Sequence, residues 1–274
     1  MTSCGRGLAL FVVGFSLLSL TVATSDAADP APVCERYKAE IARIARDSDM
    51  RFSFENDGGL ANGGVCWWHS RFQRAVWYLA DFKPELSKPT TNEAKKLINS
   101  LAHFSGVVEI PGYSNFYSFS ADFKDLIQDE LEQWQKRDGF INQAWIRGLA
   151  GKSSYTPDRA RKVMRKMYSS VQASLANGDI PWVKLQMPGI TSHAALILSI
   201  YVDVKGNYTI EAVDSNSPES IATWSFRDGD ETMNSDGNYE TMMPFADYER
   251  DMDEISRRVN KKCSRKLASA AATK

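Results

Sequence analysis

Histidine, cysteine and unbalanced charge are all scarce in this chain of 274 residues. It has three His and four Cys, and 33 Lys and Arg stand against 34 Asp and Glu, which leaves a formal charge of −1. Three histidines are too few for a His-rich metal protein, and a neutral balance argues against a dedicated nucleic-acid binder. Only 17 Gly and 10 Pro accompany 43% hydrophobic residues, so a disordered, collagen-like or coiled-coil chain is excluded.

Long apolar runs are also missing, except at the N-terminus. The run from Gly7 to Val22 follows Arg6 and is followed by small residues up to Ala28. This order is typical of a secretory signal peptide, and the run is shorter than the roughly 20 residues of a membrane span. We therefore expect residues 1–28 to be a cleaved signal, with an uncleaved anchor as the alternative. The mature protein is expected to be secreted or periplasmic, with no membrane contact.

Export leaves three cysteines, an odd number, in an oxidising compartment. They are Cys34, Cys66 and Cys263, and three single bridges between them are possible. Cys34 opens the first predicted helix and Cys263 closes the last, so a bridge between them would join the two chain ends, which often lie close together. In that pairing Cys66 is the remaining thiol, and it is either a reactive group or an intermolecular link.

Hydrophobic periodicity divides the chain into a helical part and a later strand-rich part. Helical spacing predicts helices over residues 34–50, 66–81, 91–104, 120–137, 142–149, 157–177 and 246–263. Aliphatic and β-branched runs predict strands over 182–187, 193–204, 208–213 and 233–245, the middle two forming a hairpin around a turn at 205–207. Helices followed by strands indicate an α+β fold. We expect a helical lobe over about 29–180, a β-rich lobe over about 181–245, the final helix, and a flexible tail at 266–274.

Cys66 lies where a nucleophilic cysteine would be expected. It follows Asn62-Gly63-Gly64-Val65 and begins a predicted helix, whose unpaired N–H groups and partial positive charge stabilise a thiolate. On the helical wheel it lies opposite the apolar stripe that contains Trp68, on the same side as Ser70, Gln73 and Trp77. We therefore expect its side chain to face whatever packs across the helix start. A disulfide-bonded or buried structural cysteine is the alternative.

His193 is the best candidate for the base that such a nucleophile needs. It begins an apolar strand directly after a turn, and Asp214 ends the partner strand of the same hairpin. A carboxylate at that point could accept the second imidazole N–H and fix the tautomer. Asn216 is a rival for this third role. His69, one turn after Cys66 on the same helix, is a rival base, although it is badly placed to reach across a cleft.

The order and spacing of these residues resemble those of the papain-like cysteine peptidase superfamily. In papain-type enzymes the His and its Asn or Asp partner follow the Cys by roughly 130–150 residues, and His193 and Asp214 follow Cys66 at close to that distance. The matching segments are Gly64-Val65-Cys66-Trp67, Ser192-His193-Ala194 and Val213-Asp214-Ser215-Asn216. The resemblance implies a two-lobed papain-like catalytic domain over residues 29–265 with a central nucleophile helix. It also implies that Cys66 attacks a carbonyl, that His193 transfers the protons, and that a thioester forms.

The resemblance further implies an oxyanion hole made of the Cys66 backbone N–H and one side-chain donor. The family places a Gln six positions before the nucleophile, where this chain has Leu60. Asn62 is the nearest amide and is the expected donor. Removing such a donor costs about 3–4 kcal/mol of transition-state stabilisation in other enzymes. Because Leu60 stands where the family has a Gln, the resemblance does not identify the substrate.

These observations favour a secreted thiol hydrolase, a cysteine peptidase that acts on peptides or proteins. Transglutaminase- or deamidase-type acyl transfer by the same triad is an alternative, and a catalytically silent secreted binding domain is another. We expect no cofactor, no metal and no nucleic-acid partner. Arg71 and Arg74, polar residues in an otherwise apolar helix, are expected to form internal ion pairs or to touch substrate. His103 is expected at the surface, at a helix end.

Overall fold

The computed structural model describes residues 32–36, 38–57, 65–140, 156–187, 192–235, 242–247 and 249–272. The expected signal peptide, Asn62 and the helix predicted over 142–149 lie outside these residues. Within them, the α-helices are α1 (Lys38–Arg46), α2 (Cys66–Leu79), α3 (Thr91–Ala102), α4 (Phe116–Asp122), α5 (Lys124–Phe140), α6 (Pro157–Ala176) and α7 (Glu249–Ala272).

The helix ends follow local sequence rules. A capping box of Thr90 and Glu93 starts α3, and the Thr156 side chain caps α6 with Pro157 in the first turn. Two predictions of single helices are wrong. The segment 34–50 is divided into α1 and two flanking 3-10 turns, and 120–137 spans parts of α4 and α5.

A short parallel pair of strands interrupts the helical part and was not predicted. Strand β1 (Ala80–Lys83) continues directly from α2 and pairs with β2 (Val108–Pro111). The change from helix to strand exposes carbonyl groups at the end of α2, which need donors. Arg36 provides them, with hydrogen bonds of 2.9 Å and 2.8 Å to the carbonyl oxygens of Trp77 and Ala80.

The strand-rich part forms one antiparallel sheet. Its strands are β3 (Trp182–Gln186), β4 (Ser192–Val202), β5 (Asn207–Asp214), β6 (Ala222–Arg227), β7 (Asn234–Ser235) and β8 (Met243–Asp247). They lie in the order β7-β6-β5-β4-β3-β8. The β4–β5 hairpin matches the prediction. Strand β6 was not predicted, and the single strand expected over 233–245 is instead β7 and β8. The α+β fold class is confirmed.

The sheet separates two hydrophobic cores. Alternating side chains place Leu196 and Val213 against α2 and the other early helices, and Ile197 and Ala212 in a second core with residues of α6. Trp182 belongs to the first core, whereas its neighbour Val183 belongs to the second. Helix α2 is therefore enclosed between the sheet on one side and the other early helices on the other.

A disulfide joins Cys34 to Cys263, with the two Cα atoms 5.4 Å apart, and Cys66 is not disulfide-bonded. The bridge ties the start of the described chain to α7. That helix begins at Glu249 and runs to Ala272, well beyond the end predicted at Cys263. None of the helices in the described part of the chain is long and apolar enough to cross a bilayer.

Two arginines of α2 form ion pairs inside the molecule. Asp251 of α7 receives hydrogen bonds of 2.8 Å and 3.2 Å from Arg71, and its Oδ2 lies 3.4 Å from Nη2 of Arg74. The Arg74 side chain is only 1% exposed. A guanidinium at that depth needs a compensating anion, because desolvating a charge is costly. Asp251 therefore holds α7 against α2.

Replacing Asp251 by asparagine is expected to lower the free energy of unfolding by about 3 kcal/mol, because the carboxylate that compensates the buried guanidinium of Arg74 is lost. The measurement is urea denaturation followed by circular dichroism. Asp253→Asn is the matched control, since Asp253 is exposed on the same helix. Surface substitutions usually change stability by no more than about 0.5 kcal/mol, so equal losses of that size in both variants would contradict the prediction.

Candidate active site

The structure brings Cys66, His193 and Asp214 together at the start of α2 and the adjoining ends of β4 and β5. All three residues are at most 3% exposed. Nε2 of His193 lies 2.8 Å from Oδ1 of Asp214, and the ring forms a second hydrogen bond with the Cys66 side chain. Because Nε2 is engaged by the carboxylate, Nδ1 is the nitrogen left for the sulfur. The imidazole thus lies between a thiol and a carboxylate.

The hairpin register explains how Asp214 reaches the histidine. Asp214 is paired with Ala195, two residues beyond His193, and not with His193 itself. Side chains two residues apart on a strand project from the same face, and diagonal neighbours are within reach of each other. Asp214 Oδ1 also accepts a hydrogen bond of 2.8 Å from the backbone N–H of Asn216. This second bond fixes the carboxylate next to the ring.

The environment of His193 favours the imidazolium. Burial on its own lowers the pKa of His193, but the charge of Asp214, its hydrogen bond and the contact with Cys66 outweigh burial and raise the pKa to about 10. At neutral pH the ring is therefore protonated.

Helix α2 presents its N-terminus to this pair. Cys66 is the first residue of the helix, and its N-cap residue, Val65, supplies no side-chain cap. The positive end of the helix dipole therefore lies at the sulfur. Ser70, one turn later, donates a hydrogen bond of 3.0 Å to the carbonyl oxygen of Ala194, which holds α2 against β4 beside His193.

The side of α2 that carries Ser70, Gln73 and Trp77 was predicted to face another element, and it contacts two of them. Ser70 meets β4, as described above, whereas Gln73 and Trp77 both donate to the carbonyl oxygen of Met50, at 2.9 Å and 2.8 Å. The loop that follows α1 is thereby held along the helix.

Asn56 connects the start of α2 to the loop after β5, and the sequence did not predict this role. Its Oδ1 accepts a hydrogen bond from the Val65 N–H, and its Nδ2 donates to Oδ1 of Asn216 at 2.8 Å. Its backbone N–H donates to the carbonyl oxygen of Ser215, also at 2.8 Å. We call these three bonds the Asn56 clasp. The side-chain oxygen of Asn216, the rival for the third role, accepts one of these hydrogen bonds. The carboxylate that contacts His193 is that of Asp214.

The other two histidines have structural surroundings. His69 is 1% exposed, and its ring centroid lies 3.7 Å from that of Phe52. Burial lowers the pKa of His69 to about 3, against smaller opposing effects that include a hydrogen bond to the Phe54 backbone. A neutral ring of such low basicity is a poor proton acceptor. His103 is half-buried and donates from Nδ1 to the carbonyl oxygen of Asn99 at the end of α3.

A buried lysine next to Trp67 is the second feature that the sequence did not predict. Lys184 of β3 is 3% exposed, and its Nζ lies 3.6 Å from the ring centroid of Trp67 and 5.1 Å from that of Trp182. Burial lowers the pKa of Lys184 to about 7, with Asp138 and Cys66 acting in the opposite direction. Lysine in a strand usually indicates a solvent-facing position, so only the fold could reveal this one.

Within the described ranges, no group of three or more His, Cys, Asp or Glu side chains is placed to hold a metal ion. Comparison of the chain with protein-family models, with curated proteins and with solved structures gives no match.

Proposed function

We propose that this chain is an exported cysteine hydrolase with a papain-like two-lobed architecture, and that it cleaves peptide or amide bonds. The observation that carries the proposal is the buried imidazole of His193, bonded to the carboxylate of Asp214 on one side and to the thiol of Cys66 on the other. A nucleophile, a base and a group that orients the base are the three parts that covalent hydrolysis requires.

Acylation begins with attack of the Cys66 sulfur on the carbonyl carbon of the substrate. The carbonyl π electrons move to oxygen, and a tetrahedral oxyanion forms. When the intermediate collapses, the C–N bond breaks and the imidazolium of His193 gives its proton to the leaving amine. The products of this half-reaction are a thioester on Cys66, a free amine and a neutral imidazole, whose orientation Asp214 maintains.

Deacylation reverses the roles. Neutral His193 takes a proton from a water molecule, and the resulting hydroxide attacks the thioester carbonyl. Collapse of the second tetrahedral intermediate breaks the C–S bond, which releases a carboxylic acid and restores the thiolate and imidazolium. The charge of Asp214 stabilises the imidazolium in both half-reactions, in line with the raised pKa of His193.

The oxyanion of both intermediates needs hydrogen-bond donors. The backbone N–H of Cys66, in the first turn of α2, is suited to this role because no residue of the same helix can accept from it. Asn62 is proposed as the side-chain donor from its position in the sequence, four residues before the nucleophile.

The disulfide supports the proposed location. A bridge between Cys34 and Cys263 requires an oxidising compartment to form and persist. This agrees with the signal peptide proposed for residues 1–28. Cys66 avoids such a bridge because both other cysteines of the proposed mature chain are paired with each other.

The test combines a thiol-directed probe with an assay of the products. A peptidyl vinyl sulfone is expected to modify wild-type Cys66 rapidly at pH 6, and mass spectrometry locates the adduct. Cys66→Ala, the control, is expected to take up no label. Incubation of the wild type with a casein digest and a fluorescent primary amine is expected to release new amino termini.

Each other outcome contradicts the peptidase proposal in a distinct way. Incorporation of the amine without new amino termini would indicate acyl transfer. Slow labelling below pH 8, with neither product formed, would indicate a binding domain without catalytic activity.

A further inference from the structure

The segment 51–57 is attached both to the early helices and to the loop after β5. Its backbone forms hydrogen bonds of 2.9, 3.0 and 2.6 Å with the side chains of Gln73 in α2, Ser120 in α4 and Gln128 in α5. The Arg51 guanidinium donates to the carbonyl oxygen of Pro218 at 3.2 Å, and the Asn56 N–H donates to that of Ser215 at 2.8 Å. These bonds do not involve the Asn56 side chain, so they hold the segment in place whichever residue stands there.

The Asn56 side chain joins the two halves of the candidate site. Its Oδ1 accepts a hydrogen bond from Val65, the N-cap residue of α2, which directly precedes the nucleophile. Its Nδ2 donates to Oδ1 of Asn216 at 2.8 Å. The backbone N–H of Asn216 donates in turn, also at 2.8 Å, to the same Asp214 oxygen that contacts His193. One side chain therefore links the peptide next to the sulfur to the carboxylate that orients the imidazole.

We propose that Asn56 is a positioning residue for the hydrolysis proposed above, and that its two side-chain hydrogen bonds set the position of the Cys66 sulfur relative to the imidazole of His193. The inference rests on that proposed function. Asn56 acts through Val65 and Asn216, because the start of α2 and the loop after β5 cannot separate without breaking one of its bonds. The rate is sensitive to this geometry, since a displacement of about 1 Å between reacting groups can cost about a hundredfold.

The amide pair of Asn56 and Asn216 gives the proposal a distinctive pattern of substitutions. Asn56→Asp keeps an acceptor for the Val65 N–H, and the Asn216 amide can turn over so that its nitrogen donates to the second carboxylate oxygen. Asn216→Asp keeps an acceptor for the Asn56 amide. The double variant places two carboxylates opposite each other, with no donor between them at neutral pH. The link is therefore expected to survive in each single variant and to fail in the double variant.

The measurement is modification of Cys66 by the peptidyl vinyl sulfone at pH 6, analysed as a maximal rate and a half-saturating concentration. Asn56→Leu and the double aspartate variant are expected to lose about 10- to 100-fold in maximal rate. Their half-saturating concentrations are expected to stay within about threefold of the wild type, as are both parameters of each single aspartate variant. Asn92→Leu is the matched control, because Asn92 is exposed in α3, and it is expected to leave both parameters unchanged.

The melting temperature of each variant separates positioning from stability. A merely structural role for Asn56 would lower the melting temperature of Asn56→Leu without slowing the folded protein. The inference is overturned if folded Asn56→Leu reacts at the wild-type rate, or if the effects of the two single aspartate variants account for the double variant.

Asn216→Ala provides the test if neither slow variant folds, because it removes the Asn216 side chain and keeps the backbone bond to Asp214. Its maximal rate is expected to fall by more than the roughly twofold of an ordinary surface substitution, and a wild-type rate would refute the inference. His193→Ala distinguishes the two proposals. If the wild type reacts slowly and His193→Ala changes nothing, the proposed function fails together with the inference, whereas a fast, His193-dependent wild type with an unaffected Asn56→Leu overturns the inference alone.

Discussion

Replacing His193 by alanine is expected to slow hydrolysis of an activated ester by about a thousandfold or more, because the variant loses the group that transfers protons in both half-reactions. The ring is buried and bonded on both sides, and no other histidine of the site is able to replace it, since His69 is held neutral in the core. The measurement is steady-state kinetics with a nitrophenyl ester at pH 7, together with the rate of Cys66 labelling at pH 6.

His103→Ala is the control for that variant, because His103 lies at the end of α3 and contacts Trp134 rather than the site. Its rate is expected to stay within about twofold of the wild type.

Replacing Asp214 by asparagine is expected to change the pH dependence of hydrolysis. The charge of Asp214 raises the pKa of His193, so the asparagine variant is expected to lose activity at lower pH than the wild type on the alkaline side. An unshifted alkaline limb in Asp214→Asn would contradict the assigned electrostatics.

Replacing both Cys34 and Cys263 by serine is expected to lower the free energy of unfolding by about 3–5 kcal/mol. The bridge closes a loop with a sequence separation of 229 residues, so it restricts almost the whole unfolded chain. The measurement is urea denaturation of the oxidised wild type, the reduced wild type and the double variant. The last two are expected to agree, since both lack the same cross-link.

The rate of Cys66 labelling in the folded double variant is expected to match that of the wild type, because the bridge joins α7 to the chain start and not to the site. A double variant as stable as the oxidised protein would show that the bridge contributes little beyond the ion pairs of Asp251. A large loss of labelling in a protein that remains folded would show that the bridge positions α2.

The parts of the site that the sequence could predict depend on short-range patterns. The β4–β5 hairpin follows from aliphatic and β-branched runs on both sides of a turn with Gly206 in a left-handed conformation. The hairpin alone places His193 close to Asp214, so this contact could be predicted without the rest of the fold. The position of Cys66 at a helix start is equally local. Only the meeting of the sulfur with the imidazole depends on packing between distant segments.

The features that were missed depend on contacts between distant segments. Strand β1 is short and follows a helix without a break, and its partner β2 comes only after the whole of α3, so no local pattern marks it. Lys184 has the sequence context of a surface lysine, and only the fold encloses it between Trp67 and Trp182. Asn56 stands in a turn-rich loop, where asparagine is common for reasons unrelated to catalysis. In each case the structural role of the residue depends on a partner that is distant in the sequence.

The Asn56 clasp and the hairpin also order events during synthesis. The ribosome releases Cys66 well before His193, Asp214 and Asn216, so the nascent thiol is an ordinary cysteine while the sheet is still unmade. The contact between Cys66 and His193 forms only when the late segments pack on α2. Under the proposed function and location, the site would therefore assemble only after the unfolded chain has crossed the membrane.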